Sequence, residues 1–337
     1  MAYYAGLLIF VVCPAVLLLE LLRCCYLEFR RDRIPILLYH RLVPRRAVRD
    51  GLIQNAEPIY TCYDDVFREQ MKYLAGAGYV TLGMDDLTDV LSGKAEPPDR
   101  PVVITFDDGY LSNYTLAYPP LREFGLRATI FVAPRPNEYT RNIVRGVDGF
   151  LSPEQMRELD AHGVAIESHT LTHCVLSELP DSEAQHELTE SRRVLEEILN
   201  RPVRHLAVPR SGYSRRVRRL AERAGYATVC CNNKGSANRL SSLFALPRIV
   251  IERDMTADEF ARALRPGPAV ILRLIGNIKR LPERLLGSSG AVSLRRRLYH
   301  GLFGGLFVTR RLKRMLAGAV VVYVLGCALF IRSLVRG

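Results

Sequence analysis

Two pairs of residues in this sequence have types and spacing suited to chemistry on a water molecule. Asp107 and Asp108 are adjacent in TFDDG (105–109), at the end of the apolar run VVITF (102–106). His169 and His173 stand four apart in SHTLTH (168–173), at the end of VAIES (164–168). Two histidines at i and i+4 in a helical turn point the same way and can share a metal ion. One carboxylate then completes a three-ligand set with an open position. A carboxylate on a metal has its charge neutralised and is a poor base, so the other aspartate is left to take a proton from water. Aspartate and glycine also make ordinary turns, and D-D-G alone says little. Together the two pairs suit metal-assisted hydrolysis of an amide or ester.

These residues need a scaffold that brings strand ends together. ILLY (36–39), VVITF, ATIFV (128–132), VAIES, HLAVP (205–209) and YATVCC (226–231) read as strands, and PAVILRL (268–274) as a further one. Several are apolar on both alternating faces, as in strands covered on both sides. Helical patterns fill the gaps. VFREQMKYLAGAG (66–78) has Phe67, Met71 and Leu74 on one stripe and a glycine stop. SPEQMRELDAHG (152–163) opens with Ser152 as cap and Pro153 in the first turn, and 181–200 and 214–225 are similar. Strand–helix alternation predicts an α/β fold with a mainly parallel sheet, open or closed into a barrel. In such folds the strand C-termini carry the site.

The same motifs resemble those of the polysaccharide deacetylases, the NodB-type carbohydrate esterases of family 4. TFDDG and SHTLTH are similar to the first two motifs, and LAVPRSGYS (206–214) to the third. ILLYHRLV (36–43) resembles the opening strand of the branch that contains poly-N-acetylglucosamine deacetylases. FREQMKYLAGAGYVTL (67–82), LREFGLRATIFVAP (121–134), LSPEQMRELDAHGVAIESHTLTH (151–173) and LPRIVIERDMTADEF (246–260) also fit. The resemblance covers about residues 34–265. It implies a distorted (β/α) barrel with fewer than eight repeats and removal of an N-acyl group, usually acetyl, from amino sugars of a glycan. It implies Asp107 as general base, and Asp108, His169 and His173 as ligands of a divalent metal, zinc. A backbone N–H after Pro209 would help hold the oxyanion, beside Tyr110 and Arg210 as substrate contacts. His40 would be the general acid, and Arg248 would orient Asp107.

The sequence departs from that pattern in places. The third motif reads P-R-S-G, with Arg210 where an aromatic residue is usual; an arginine there can read a phosphate or carboxylate. ILRLIG (271–276) lacks the histidine of the usual late L-x-H motif, which gives His40 more weight. The altered third motif also leaves open a catalytically inactive glycan-binding or scaffold protein.

The composition bounds the partners. The chain has 337 residues, 48% of them hydrophobic, and a net charge of +12. Eight cysteines without a C-x-x-C form no disulfide framework. Residues 2–19 and 315–331 are uncharged apolar runs, expected here as an N-terminal membrane anchor (1–27) and a C-terminal membrane segment (315–331) flanking the catalytic domain (34–265). The basic stretch 266–314 between them is expected to be a linker at an anionic membrane surface. Basic clusters on the inner sides of both runs favour the cytoplasmic face for the domain. The expected partners are therefore an N-acetylated glycan or lipid-linked sugar and a membrane. Nucleic acid is not expected, because no aromatic platform is interleaved with the basic residues.

Overall fold

In the computed structural model, residues 13–277 are described, except 54–56, 58, 145–147, 232–233 and 272. The chain divides into two compact units, Arg30–Arg265 and the two ends, Met1–Phe29 with Pro266–Gly337.

Among its described residues the larger unit contains ten strands: β1 (Ile36–Tyr39), β2 (Arg41–Val43), β3 (Thr61–Tyr63), β4 (Val80–Thr81), β5 (Pro101–Phe106), β6 (Ala128–Val132), β7 (Val164–Ser168), β8 (His205–Ala207), β9 (Thr228–Cys230) and β10 (Ile249–Val250). Eight of them form one sheet in the order β10-β1-β5-β6-β7-β8-β9, with β4 beside the start of β5. Every pairing in it is parallel. The sheet curls until its edges approach: Leu246, three residues before β10, bridges Cys230 of β9. This is a curled (β/α) half-barrel of parallel strands, the distorted barrel expected but, among the described residues, without the flanking membrane helices. β2 and β3 pair separately.

Strand sequence explains the two-sided burial. All six residues of β5 are buried, as a parallel strand covered on both faces requires. One alternating set, including Leu37, Ile104, Ile130, Ile166 and Leu206, packs against Phe67, Met71, Leu159, Leu188 and Leu220 of the surrounding helices. The other set, Ile36, Val103, Phe131, Ala207 and Cys230, makes a second, smaller cluster. Because side chains alternate along a strand, the face that carries Val103 continues through Thr105 to Asp107. By the same count, the face of Ile36 continues to His40. The expected helices form at Asp64–Gly76, Pro153–Ala161, Asp181–Leu199 and Arg215–Arg223. The second opens on Ser152, whose hydroxyl accepts from the Gln155 N–H in a capping box.

Two expectations about the ends are corrected. No described helix is long and apolar enough to cross a membrane, so the fold is not shown to carry flanking membrane helices. The described helix at that end, Cys13–Glu28, contains Glu20, Arg23 and Glu28. Within this smaller unit Cys24 packs with Val270 and Leu274, and Arg273 Nε donates to Glu28 at 2.6 Å. The expected segment 315–331 lies outside the described residues. PAVILRL is likewise not a strand, since 266–271 is helical. An apolar run of this length has no period that separates buried strand from buried helix.

Candidate metal centre

β5 delivers Asp107 and Asp108 to the C-terminal end of the barrel, and the backbone there sends them to different places. Asp108 and Gly109 are both left-handed, with φ of 77° and 73°. The chain therefore turns sharply between the two carboxylates. A side chain at Gly109 would put Cβ 2.9 Å from Val132 Cγ1 at the end of β6, so glycine is required by space as well as by φ. A short π-helical turn, Asn113–Ala117, follows. It ties this loop to the end of β1: Asn113 Nδ2 donates to the His40 carbonyl at 2.8 Å, and Leu42 N donates to Ser112 Oγ at 3.0 Å.

Asp108 meets the histidine pair. Its Oδ1 lies 3.3 Å from His169 Nε2 and 3.1 Å from His173 Nε2. The three ligand atoms are all within 4.8 Å of one another. The i, i+4 spacing does not act through a helical turn, as the sequence suggests. Residues 169–173 form a bend after β7, with Thr170 and His173 at φ 65° and 64°. Of the six non-glycine residues with positive φ among the described residues, Asp108, Thr170, His173 and Arg210 all belong to this end of the barrel. Backbone strain collects at sites where surrounding structure imposes it.

The ring nitrogens facing away from Asp108 are also engaged. His169 Nδ1 donates to the Ala207 carbonyl at 2.8 Å. His173 Nδ1 lies 3.1 Å from Thr140 Oγ1, whose own proton goes to Asn137 Oδ1 at 2.9 Å. Thr140 thus accepts from Nδ1–H. Nδ1 is thereby the donor of each imidazole toward its outer partner, which leaves Nε2 as the nitrogen aimed at Asp108 and the one a metal would bind. This carboxylate-and-two-imidazole set fits a divalent cation such as zinc. Sequence reasoning misses Thr140 and Asn137. Their position just after the C-terminal end of β6 is the available signal.

Asp107 is held separately. Arg248, fully buried, donates to both its oxygens at 2.7 Å. Burial pushes the Asp107 carboxyl up, but the Arg248 charge, with His169 and His40, outweighs it and leaves the group below the ordinary carboxylate value. Asp107 Oδ2 lies 4.0 Å from His169 Nε2, so it borders the metal set without joining it. Asp108 is driven well below its ordinary value: burial raises it, and hydrogen bonds from His169 and His173 lower it further than that. For His169, burial lowers the imidazole and the two carboxylates more than reverse it.

His40 stands at the end of β1, beside β5. Burial lowers its imidazole, and Asp108 and Asp107 only partly offset this. Its Nδ1 has no hydrogen-bond partner among the described residues, and its ring meets the edge of Tyr60 at 5.0 Å. Tyr110 is buried, stacked on Phe150 at 5.6 Å; burial and Asp108 push its phenol up. Pro209 is buried just after β8, and Arg210 is exposed with φ 50°. The structure thus brings Asp107, Asp108, His169, His173, His40 and Arg248 to one end of the barrel, with Tyr110 and Pro209–Arg210 at its border.

A (β/α) barrel that gathers a carboxylate, two imidazoles and a separately clamped aspartate at its strand ends has the groups of a hydrolase. The family model "Polysaccharide deacetylase" matches residues 94–229. YxkH of Bacillus subtilis (strain 168), named after the same family, is 30% identical over 228 residues, covering 68% of this chain and 75% of that protein. The chain belongs to the polysaccharide deacetylases, hydrolases acting on amide bonds. A stretch of 57 residues is 39% identical to the poly-β-1,6-N-acetyl-D-glucosamine N-deacetylase of Escherichia coli (strain K12), covering 17% of this chain and 8% of that protein. Among solved structures, the Streptococcus pyogenes deacetylase PplD, in complex with acetate, superposes with a TM-score of 0.62 at 26% identity. That match covers 69% of this chain and 99% of PplD.

Proposed function

We propose that this chain removes acetyl groups from N-acetylglucosamine units of a glycan, with a divalent cation, zinc, held by Asp108, His169 and His173. The observation that carries this reading is a single carboxylate oxygen, Asp108 Oδ1, at 3.3 and 3.1 Å from the Nε2 nitrogens of two imidazoles. The 57-residue likeness to a poly-N-acetylglucosamine N-deacetylase supports the sugar.

Zinc held there would supply Lewis acidity, polarising the amide carbonyl and making water a stronger acid. The remaining work falls to the chain. Asp107 accepts the proton of the attacking water. Arg248 occupies one direction on each Asp107 oxygen, and a carboxylate has lone pairs left to take a proton. His40 delivers a proton to the departing amine nitrogen. The N–H following Pro209 supports the charge that develops on the carbonyl oxygen.

The test is metal content and acetate release measured together. Wild type purified with zinc should hold about one ion per chain, expected of a single three-ligand site, and release acetate from N-acetylglucosamine oligomers. His173→Ala should lose both. Stoichiometric metal without acetate release from β-1,6- or β-1,4-linked oligomers would sink the proposed reaction.

A further inference from the structure

Three side chains at the border of the site take no part in the steps just given, namely those of Tyr60, Tyr139 and Arg210. Arg210 follows β8, whose Ala207 carbonyl fixes His169. Tyr139 precedes Thr140, which fixes His173. Both are therefore tied by one to three residues of chain to partners of the metal ligands. The Arg210 guanidinium lies 4.6 Å over the Tyr139 ring. Tyr60 reaches the same border from the β1 side, with its ring against His40. It lies within electrostatic reach of Arg210, Asp108 and Tyr139. Tyr60 and Tyr139 are 46% and 60% exposed, so their faces are open to a ligand.

Arg201, Arg216, Arg218 and Arg248 each meet a carboxylate; Arg210 has no carboxylate partner among the described residues. Its backbone is held at φ 50°, a conformation that L-residues adopt at a cost and keep where their surroundings impose it. Stacking on Tyr139 uses the face of the guanidinium and leaves its N–H edge free. That edge is a fork matched to two oxygens of one anion.

We infer that Arg210, seated on Tyr139, is an anion-reading subsite that selects amino-sugar substrates bearing a phosphate or carboxylate next to the acetylated unit. Tyr60 and Tyr139 offer their faces to the sugar rings on either side of the reacting amide. This inference rests on the deacetylase reading of the same site. The two anions share one chemistry, a pair of oxygens that accept the guanidinium fork.

Three N-acetylglucosamine tetramers decide it: one neutral, one with a phosphate monoester on the sugar next to the reacting unit, and one with a carboxylate at that place. Acetate release by the zinc-loaded full chain gives kcat/KM for each. Wild type should favour an anionic tetramer by about tenfold at low salt, the scale of one charge-assisted hydrogen-bonded pair. That preference should shrink as salt rises, because the subsite is exposed. Arg210→Asn, which tolerates the left-handed backbone, should bring the ratio of anionic to neutral substrate near one. Tyr139→Leu should lower the ratio, and Tyr139→Phe should keep it. A preference for phosphate alone, or for both anions, identifies the source. Equal rates on all three in wild type, or a parallel loss on all three in Arg210→Asn, would overturn the subsite and leave the deacetylase reading standing. If no tetramer releases acetate, the deacetylase reading fails instead. Calorimetric affinities for the same three tetramers then decide: tighter anionic binding lost in Arg210→Asn supports the subsite, and equal affinities overturn it.

Discussion

Arg248 grips both oxygens of Asp107 at 2.7 Å, and both residues are buried. A buried carboxylate without this partner would be uncompensated, so Arg248→Met should destabilise the fold by about 3–5 kcal/mol, measured by urea unfolding. The pH dependence has a definite sign. With Arg248 present, the Asp107 value lies below the ordinary 3.8. The stability this provides is complete above that ordinary value and is lost as pH falls through the folded-state value. In Arg248→Met burial is opposed only by His169 and His40, the value rises, and the acid limb of kcat/KM should move to higher pH. An unmoved limb would mean that Asp107 is not the base.

Thr140 accepts the His173 Nδ1–H and passes its own proton to Asn137. Removing the acceptor in Thr140→Val should weaken zinc binding by about 10–100-fold, the usual effect of losing a partner behind a metal ligand. Thr140→Ser should restore most of it. A chelator competition titration reads both variants, and equal affinity in Thr140→Val would show that His173 needs no such support.

His40 lies beside the metal set without joining it. His40→Asn should therefore keep stoichiometric zinc and lower kcat by about 10²–10⁴-fold, as expected for loss of a general acid. Loss of zinc in this variant would recast His40 as a ligand.

Gly109 sits at φ 73° with Val132 Cγ1 2.9 Å from where a Cβ would be. Gly109→Ala should cost about 1–3 kcal/mol through backbone strain and the clash. Adding Val132→Ala should recover part of that loss in a thermal melt. An unchanged melting temperature in the single variant would show that the turn has room to spare.

The site is legible in sequence where chemistry-bearing residues sit on strong strands. Asp107, Asp108 and His169 follow runs whose apolar residues leave little choice of register, and the strand-end rule puts them together. What sequence misses depends on loops and short contacts. Thr140 and Asn137 lie in a polar stretch after β6 with no period to read. Tyr60 reaches His40 across a fold contact that local pattern does not encode. The helical turn expected for His169 and His173 is a bend, because Thr170 and His173 take left-handed backbone that no residue-type preference announces. At the chain ends, apolar composition alone suggests membrane spans; among the described residues no helix is long and apolar enough for one, and Cys13–Glu28 carries charge. PAVILRL misleads for a related reason: hydrophobicity without period does not separate strand from helix.

Arg248 stands 141 residues after Asp107 in the chain, and β10, which closes on β1, follows it immediately. The consequence is temporal. During synthesis from the N-terminus, β1 and β5 emerge long before either the counter-charge or the closing strand exists. Until then one edge of the nascent sheet lacks its neighbour, and Asp107 has reason to stay in water. The barrel can lock only when the last part of the domain leaves the ribosome, so its cooperative folding waits for β10.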